Sequence, residues 1–200
     1  GITQGTFVGA FAYPNAAGYT NIGGFGYNAR PTASNMIRVG NTTVTSINGA
    51  VAFTVVSDGR FKTHVAEDVH GLDFIMKLRP VTYNYDVKGM DRFIEGGERK
   101  DHDGKVIPYT AQELASIKQK EQVKYTGFIA QEVEAVADSV GYDFSGVDKP
   151  DNDKDPYGLR YSDFVVPLVK AVQEQQKMID DLKKKIELQQ KEIENLKGNR

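Results

Sequence analysis

The sequence predicts an α+β chain in three parts: a β-repeat segment, a small α+β domain and a long C-terminal helix. Three observations support this fold class. Residues 1–56 are rich in glycine and β-forming residues, residues 57–166 switch between helical and strand periods, and residues 167–200 contain a heptad repeat. The chain has 200 residues, 40% of them hydrophobic, which can bury a core in one or two domains.

Composition argues against several classes of site and partner. The formal charge of −2 gives no reason to expect nucleic acid or an anionic membrane as partner. No apolar run approaches the roughly 20 residues needed to span a bilayer. The lack of cysteine removes disulfides, thiol catalysis and cysteine-based zinc sites. We predict no cofactor and no metal site, and paired carboxylates of the glycosidase kind are not apparent.

The first segment consists of short β-forming runs, each closed by glycine or asparagine. Residues 22–29 and 34–41 have this form, residues 10–13 are a degenerate third copy, and residues 44–56 continue the β-forming character. So small and glycine-rich a segment cannot easily bury enough apolar surface alone. Stacked repeats or strands shared between chains would solve this, so we favour a repeat-built β-fibre over a loose linker.

The middle segment begins with a helix and a strand. Apolar residues at helical spacing predict a short helix over 72–78, which Arg79-Pro80 ends because the residue before proline disfavours helix. Strict alternation then predicts a half-buried strand over residues 81–88, with Val87 on its apolar face. Residues 89–109 are too polar for a core and are predicted to form an exposed excursion.

Further along the middle segment, Thr110 and Glu113 have the capping-box spacing and predict a short surface helix. Residues 123–128 predict a strand, and the spacing of apolar residues in 129–140 predicts an amphipathic helix. Pro167 is tolerable only in the first turn of the final helix or at a kink.

The final helix shows the clearest pattern, with apolar and glutamine residues alternating four and three apart over about four heptads. The seam comprises Leu168, Val172, Gln175, Ile179, Leu182, Ile186, Gln189, Ile193 and Leu196. We predict a parallel coiled coil roughly 45 Å long, which requires other copies of the chain. β-branched residues at a with leucine at d favour two strands, but Gln175 and Gln189 weaken that inference, so two or three strands remain open.

Ser57 and Lys62 lie five residues apart, where the β-rich segment gives way to the helical part. On spacing alone, a simple turn with a solvated lysine is the more economical interpretation. The alternative is a nucleophile and its base, since a serine hydroxyl must lose its proton to attack a carbonyl. The three histidines, His64, His70 and His102, match no catalytic motif.

Lys62 can act as a base only when it is neutral. At its reference pKa, about 0.04% of a lysine is neutral at pH 7, and burial that lowered the pKa by about three units would raise this to roughly a quarter. A closed interface between chains would supply such burial. Five residues of strand span about 16 Å, so either a turn at Asp58-Gly59 returns Lys62 to its own Ser57, or a neighbouring chain supplies the lysine.

Four motifs in this order resemble the intramolecular chaperone auto-processing domain of the peptidase S74 type. That domain lies at the C-termini of bacteriophage tailspikes and tail fibres, including endosialidase tailspikes, and a similar module occurs in myelin regulatory factor. The resemblance covers residues 57 to about 185. The motifs are Ser57-Asp58-x-Arg60-x-Lys62, LRPVTY at 78–83, GFIAQEV at 127–133, and Tyr161-Ser162 before the coiled coil. Residues 1–56 are more loosely similar to β-roll, β-prism and trimeric-adhesin repeats.

The resemblance implies an intertwined homotrimer with three domains, 1–56, 57–166 and 167–200. The C-terminal part would align three chains, help the upstream fibre fold, and then cut the bond between Val56 and Ser57. Its partners would be its own copies and that upstream fibre, with no nucleic acid or membrane. The setting would be a phage tail fibre or a bacterial surface, with folding in the cytoplasm possible.

The resemblance also assigns roles to individual residues. It implies that Ser57 and Lys62 are catalytic. The expected site-lining positions are Asp58, Gln131 and Glu132. The alternative is a structural trimerisation module, or an adhesin or tail-fibre tip, that never cleaves.

Overall fold

The computed structural model describes residues 3–101 and 103–198, which form two compact units. The first unit comprises Gly1–Asp58, Pro80–Gly127 and Lys149–Gly158. The second comprises Gly59–Arg79, Phe128–Asp148 and Leu159–Arg200.

The described elements show a mixed α+β fold with a long C-terminal helix, as predicted. The strands are β1 (Thr3–Val8), β2 (Thr20–Phe25), β3 (Ile37–Val39), β4 (Val81–Tyr83), β5 (Tyr125–Gly127), β6 (Val147–Asp148) and β7 (Gly158–Leu159). The α-helices are α1 (Leu72–Ile75), α2 (Val87–Glu95), α3 (Ala111–Glu121), α4 (Ala130–Ser139) and α5 (Val165–Gly198). Strands β6 and β7 pair as a two-stranded sheet.

Strands β1, β2 and β3 form a parallel sheet in that order. The register aligns Thr3 with Thr20, and Gly23 with Ile37. The stacking is close, because a Cβ placed on Gly24 would lie 2.8 Å from the Phe7 ring. The strands predicted within residues 22–29 and 34–41 are therefore present, with shifted bounds, as β2 and β3, whereas the predicted copy over residues 10–13 forms no strand and β1 lies before it. The β-repeat fibre stays a prediction.

The β-forming residues 40–56 contain no strand or helix, contrary to their composition. The apolar side chains of Val51, Phe53 and Val55 are all strongly exposed. A β-forming residue adopts a strand only where a neighbouring strand accepts its backbone hydrogen bonds, and no strand of the described chain pairs with this stretch.

The strand prediction over 81–88 is correct only as far as Tyr83. β4 pairs antiparallel with β5, and the chain then turns into α2. The Asp86 carboxylate caps this helix by accepting the Gly89 N–H at 2.7 Å. Val87 is consequently a buried helix residue rather than a strand residue.

The prediction of an exposed excursion over 89–109 is also wrong in part. Asp91, Ile94 and Arg99 are buried there. Val87 and Ile94 are seven residues apart, two helical turns, so both face the core from one side of α2. The charged residues are compatible with burial because they have partners, which we describe below.

Helix α3 confirms the capping-box prediction in full. The Thr110 hydroxyl accepts the Glu113 N–H at 3.2 Å, and the Glu113 carboxylate accepts the Thr110 N–H at 2.7 Å. Ile117 anchors the helix in the core.

The second unit is built around buried aromatic rings. Phe74 of α1, Phe144 and Phe164 are buried, with ring centroids 5.0 Å apart for the first two and 4.8 Å for the last two. Val133 of α4 joins this core. The predicted helices over 72–78 and 129–140 are confirmed as α1 and α4, with shorter bounds.

Helix α5 packs against its own unit only through its beginning. Pro167 lies in the first turn, as predicted, and is buried together with Ala171. The Glu174 carboxylate accepts the Leu72 N–H of α1 at 2.8 Å. From Gln175 to Gly198 every described side chain is exposed, so the predicted seam has no cover within the chain, and the coiled coil stays a prediction.

Candidate functional site

The proposed cut lies in exposed chain. Val56 is 84% exposed and Ser57 is exposed as well, while Asp58 is half-buried. Residues 52–58 form neither helix nor strand. These residues end the first of the three ranges that make up the first unit, and residues 52–57 are exposed.

Lys62 follows directly on a single 3₁₀ turn, Gly59–Phe61, in the second unit. Its backbone N–H donates to the Gly59 carbonyl at 3.2 Å, so the turn predicted at Asp58-Gly59 is present. The Lys62 side chain is exposed. Burial of its ammonium group would therefore have to come from a surface beyond its own described surroundings.

Arg79 and Glu132, from two different motifs, form a two-point ion pair. The Arg79 Nε donates to Glu132 Oε2 at 3.0 Å, and its Nη2 donates to Oε1. The hydrogen bond to Glu132 raises the pKa of Arg79. This pair joins the chain just after α1 to the first turn of α4. Glu132 is thus engaged in a structural contact, while the neighbouring Gln131 is exposed.

A small cleft of about 100 Å³ lies beside this ion pair in the second unit. Apolar and charged residues line it together. The apolar ones are Leu78, Phe128, Ile129, Val133 and Val136, and the charged ones are Lys77, Arg79 and Glu132. The motifs at 78–83 and 127–133 therefore meet at one surface depression.

The two described histidines contact a threonine and an aspartate. His64 Nδ1 lies 3.2 Å from the Thr63 hydroxyl, and His70 Nδ1 lies 2.6 Å from the Asp73 carboxylate. The hydrogen bond from His70 lowers the pKa of Asp73. His102 lies outside the described residues.

Among residues 3–101 and 103–198, no group of histidine and carboxylate side chains is arranged to hold a metal ion. A search of the same residues for a helix long and apolar enough to cross a membrane found none.

The sequence interpretation missed a set of buried carboxylates in the first unit. Asp91 accepts a hydrogen bond from the Tyr109 hydroxyl at 2.7 Å, and burial together with this bond raises the pKa of Tyr109. Arg99 Nη1 donates to Glu113 Oε1 at 2.7 Å. The signal was the helical spacing of residues 87, 91 and 94, which the high charge of the surrounding sequence concealed.

Comparison with known proteins gives one match. Residues 57–142 match the family model Peptidase_S74, described as a chaperone of endosialidase. No curated protein and no solved structure matched the chain. The matched range begins at Ser57 and contains the first three of the four motifs that we identified.

Proposed function

We propose, on the premise that this chain belongs through residues 57–142 to the chaperone-of-endosialidase (peptidase S74) family, that it assembles as a trimer and then cleaves itself. The family match supports a chaperone role. In our proposal, the part after residue 56 aligns three chains, assists folding of the upstream β-segment, and then cuts the bond between Val56 and Ser57.

One observation carries the proposal: the family match begins at Ser57, the residue that follows the proposed cut. A boundary at this point agrees with a domain that separates from what precedes it. The exposure of Val56 and Ser57 also agrees, because a backbone can be attacked only where a reacting group reaches its carbonyl.

The proposed chemistry uses the serine hydroxyl and the lysine amine. The Ser57 oxygen attacks the carbonyl carbon of Val56, and neutral Lys62 takes the hydroxyl proton. The ammonium group returns that proton to the Ser57 nitrogen as the peptide bond breaks. Water then hydrolyses the ester, which releases the Val56 carboxylate and restores the Ser57 hydroxyl.

Assembly would control this reaction through the charge of Lys62. An exposed lysine is almost entirely protonated at neutral pH and cannot accept a proton. We infer that association of the chains covers Lys62, lowers its pKa and makes it a base. Cleavage would then occur only after the chains have aligned.

The trimer is proposed from the seam of α5. Its apolar residues are exposed along a helix of 34 residues, and an isolated helix of this kind is marginally stable in water. Association along the seam would bury these residues. The heptads allow two or three strands, and the family resemblance favours three.

Mass spectrometry of denatured protein tests self-cleavage. We expect fragments 1–56 and 57–200 from the unaltered chain. Ser57→Ala should abolish them, and Lys62→Ala should slow their appearance at least about 100-fold. Ser46→Ala and Lys124→Ala change the same residue types at exposed positions and should cleave normally. Intact chain after prolonged incubation of an assembled sample would reject cleavage.

A mixture of Ser57→Ala and Lys62→Ala chains distinguishes action within one chain from action between chains. If the lysine serves only its own serine, neither variant is cut in the mixed trimer. If a neighbour supplies the lysine, the Lys62→Ala chains, which retain Ser57, are cut. Fragments from the mixture would exclude strict action within one chain.

The second candidate function is a structural trimerisation module that never cleaves. The exposure of Lys62 favours it, because an exposed lysine makes a poor base. The same mass measurement separates the candidates, provided that light scattering shows the sample to be assembled.

A further inference from the structure

The first unit joins chain from both sides of the proposed cut. The range Gly1–Asp58 holds the segment before the cut and the first two residues after it, whereas Pro80–Gly127 and Lys149–Gly158 lie after the cut. All three ranges form one compact body. The upstream segment is therefore folded against parts of the chain that would act as its chaperone. The side chains at these contacts show how the segment is held.

A buried ion pair forms one contact. Arg30, in the loop between β2 and β3, lies with its Nε 3.3 Å from the Glu95 carboxylate at the end of α2. The Arg30 and Glu95 side chains are only 5% and 9% exposed. The Asn28 side chain accepts a bond from the same Nε at 2.9 Å, which fixes the guanidinium in place.

Asp91, one turn before Glu95 on α2, forms a second contact. Its carboxylate accepts hydrogen bonds from the Thr42 hydroxyl of the upstream segment and from the Tyr109 hydroxyl. Asp91 and Thr42 are both buried. One face of α2 therefore presents two carboxylates to donors of the upstream segment.

Thr32 makes a third contact, with the loop that precedes β7. Its hydroxyl donates to the Asp155 carboxylate at 2.6 Å, and its backbone carbonyl accepts from the Asn152 side chain at 2.7 Å. Thr32 is fully buried. Tyr27 adds a more exposed bond, from its hydroxyl to Glu113 at 3.0 Å.

The apolar residues of the upstream segment fall into two groups. Ile22 of β2, Ala29 and Ala33 are buried, whereas Val8, Phe25, Ile37 and Val39 are exposed, Ile37 to 70%. The hydrogen bonds and the ion pair described above join the upstream segment to the later ranges, while several apolar residues of its sheet stay uncovered. Buried polar groups favour one geometry, because any other arrangement leaves them unpaired.

We propose that Asp91, Glu95 and Asp155 form the client-recognition surface of this chain, which holds the upstream β-segment through Arg30, Thr42 and Thr32. We call this set the carboxylate clamp. It rests on the proposed chaperone function and adds to it the surface by which the client is recognised. The clamp fixes the loop between β2 and β3 and the chain just after β3. It leaves the exposed apolar residues of the sheet available to the other copies.

Hydrogen–deuterium exchange in full-length Ser57→Ala protein tests the clamp without depending on cleavage. In Glu95→Gln, which removes one charge and keeps the side-chain shape, we expect amide protection in β2 and β3 to fall about tenfold or more. Protection in α4 of the second unit should be unchanged. Glu98→Gln, the same substitution at an exposed position just after α2, is the matched control and should leave β2 and β3 unchanged.

A double-mutant cycle shows whether the two residues act on each other. Arg30→Gln and Glu95→Gln together should reduce protection in β2 and β3 no more than either change alone. Asp91→Asn is a second, independent test should the Glu95 variant fail to fold. Unchanged protection in β2 and β3, additive losses in the cycle, or an equal loss in α4 would overturn the proposal.

The clamp and the proposed cleavage fail separately. If no fragments appear in the unaltered chain but Glu95→Gln loosens β2 and β3, the clamp stands without cleavage. If fragments appear but β2 and β3 are unaffected, cleavage stands and the clamp is rejected.

Discussion

At the scale of single residues, the proposed mechanism depends on the charge of Lys62. The side chain is exposed and follows a 3₁₀ turn. In the proposed mechanism, its amine acts as a base only after association of the chains has buried it. An arginine at this position would keep the charge under any burial, since the guanidinium does not lose its proton in proteins.

Lys62→Arg should therefore assemble normally and fail to cleave, with the rate reduced at least about 100-fold. Light scattering would show the assembly and mass spectrometry the lack of fragments. Lys124→Arg is the matched control at another exposed position and should cleave as the unaltered chain does. Cleavage by Lys62→Arg at the normal rate would remove Lys62 from the mechanism.

The lowered pKa of Glu113 predicts how the stability of the folded protein changes as the pH falls. Burial alone would raise its pKa, but hydrogen bonds from Arg99, Thr110 and Tyr27 outweigh burial and lower the pKa to about 2 from 4.5. Because the folded state holds the carboxylate ionised, its contribution is complete above the unfolded pKa and is lost as pH falls through about 2.

Melting temperatures measured between pH 6 and pH 2 check this sign. The unaltered chain should lose stability on acidification over that window, and Glu113→Gln should lose less. Glu98→Gln, an exposed change of the same kind, should follow the unaltered chain. Identical acid profiles for Glu113→Gln and the unaltered chain would contradict the assignment.

At the scale of elements, α2 has a buried face that its polar sequence did not reveal. Its polar composition predicted an exposed excursion, yet Ile94 is buried and Phe93 beside it is 48% exposed. Ile94→Ala should lower the free energy of unfolding by about 2–5 kcal/mol, because it leaves a cavity. Phe93→Ala removes a larger side chain from an exposed face and should cost under about 1 kcal/mol. Urea denaturation would compare the two, and equal losses would mean that α2 is not packed in this orientation.

Local signals predicted the elements whose cause is local. The capping box of Thr110 and Glu113 placed α3, whereas α1 ends at Ile75, before the end that Arg79-Pro80 predicted. The β-forming residues 44–56 were predicted less well, since a strand depends on a partner that a local pattern cannot specify. Val87 was assigned to a strand from the alternation over residues 81–88, because the helix cap at Asp86 was not recognised in the sequence.

The candidate site was predictable only in part for a similar reason. The order of motifs located Ser57 and Lys62 on the chain and led to the family. The pairing of Arg79 with Glu132 joins residues 53 positions apart, and that of Arg30 with Glu95 joins residues still further apart along the chain. Spacing in one sequence does not reveal such contacts.

At the scale of the whole molecule, α5 has a packed face and an exposed face next to each other. Pro167, Ala171 and Glu174 face the helix's own unit, and the residues one position later, Leu168, Val172 and Gln175, begin the exposed seam. The helix is fixed to its unit at one end, so association along the seam would set how the units of different chains are aligned.

Ile186→Asp places a charge in the seam and should abolish assembly. Light scattering should then give the mass of one 22.1 kDa chain rather than three, and the helical circular dichroism signal should fall. Lys184→Asp, at the position of the heptad that points away from the seam, is the control and should remain assembled. In our proposal the Ile186 variant also fails to cleave. A single-chain mass for the unaltered protein at working concentrations would reject the trimer.

The polar character of the carboxylate clamp has a consequence for the separation of the two fragments after the proposed cleavage. If the cleaved upstream segment leaves its chaperone part, the groups of the clamp that become exposed are hydroxyls, carboxylates and a guanidinium, which water solvates readily. An apolar interface would instead leave two exposed hydrophobic surfaces that promote aggregation. With a polar interface, the cleaved fibre and the chaperone fragment can both stay dissolved after they separate.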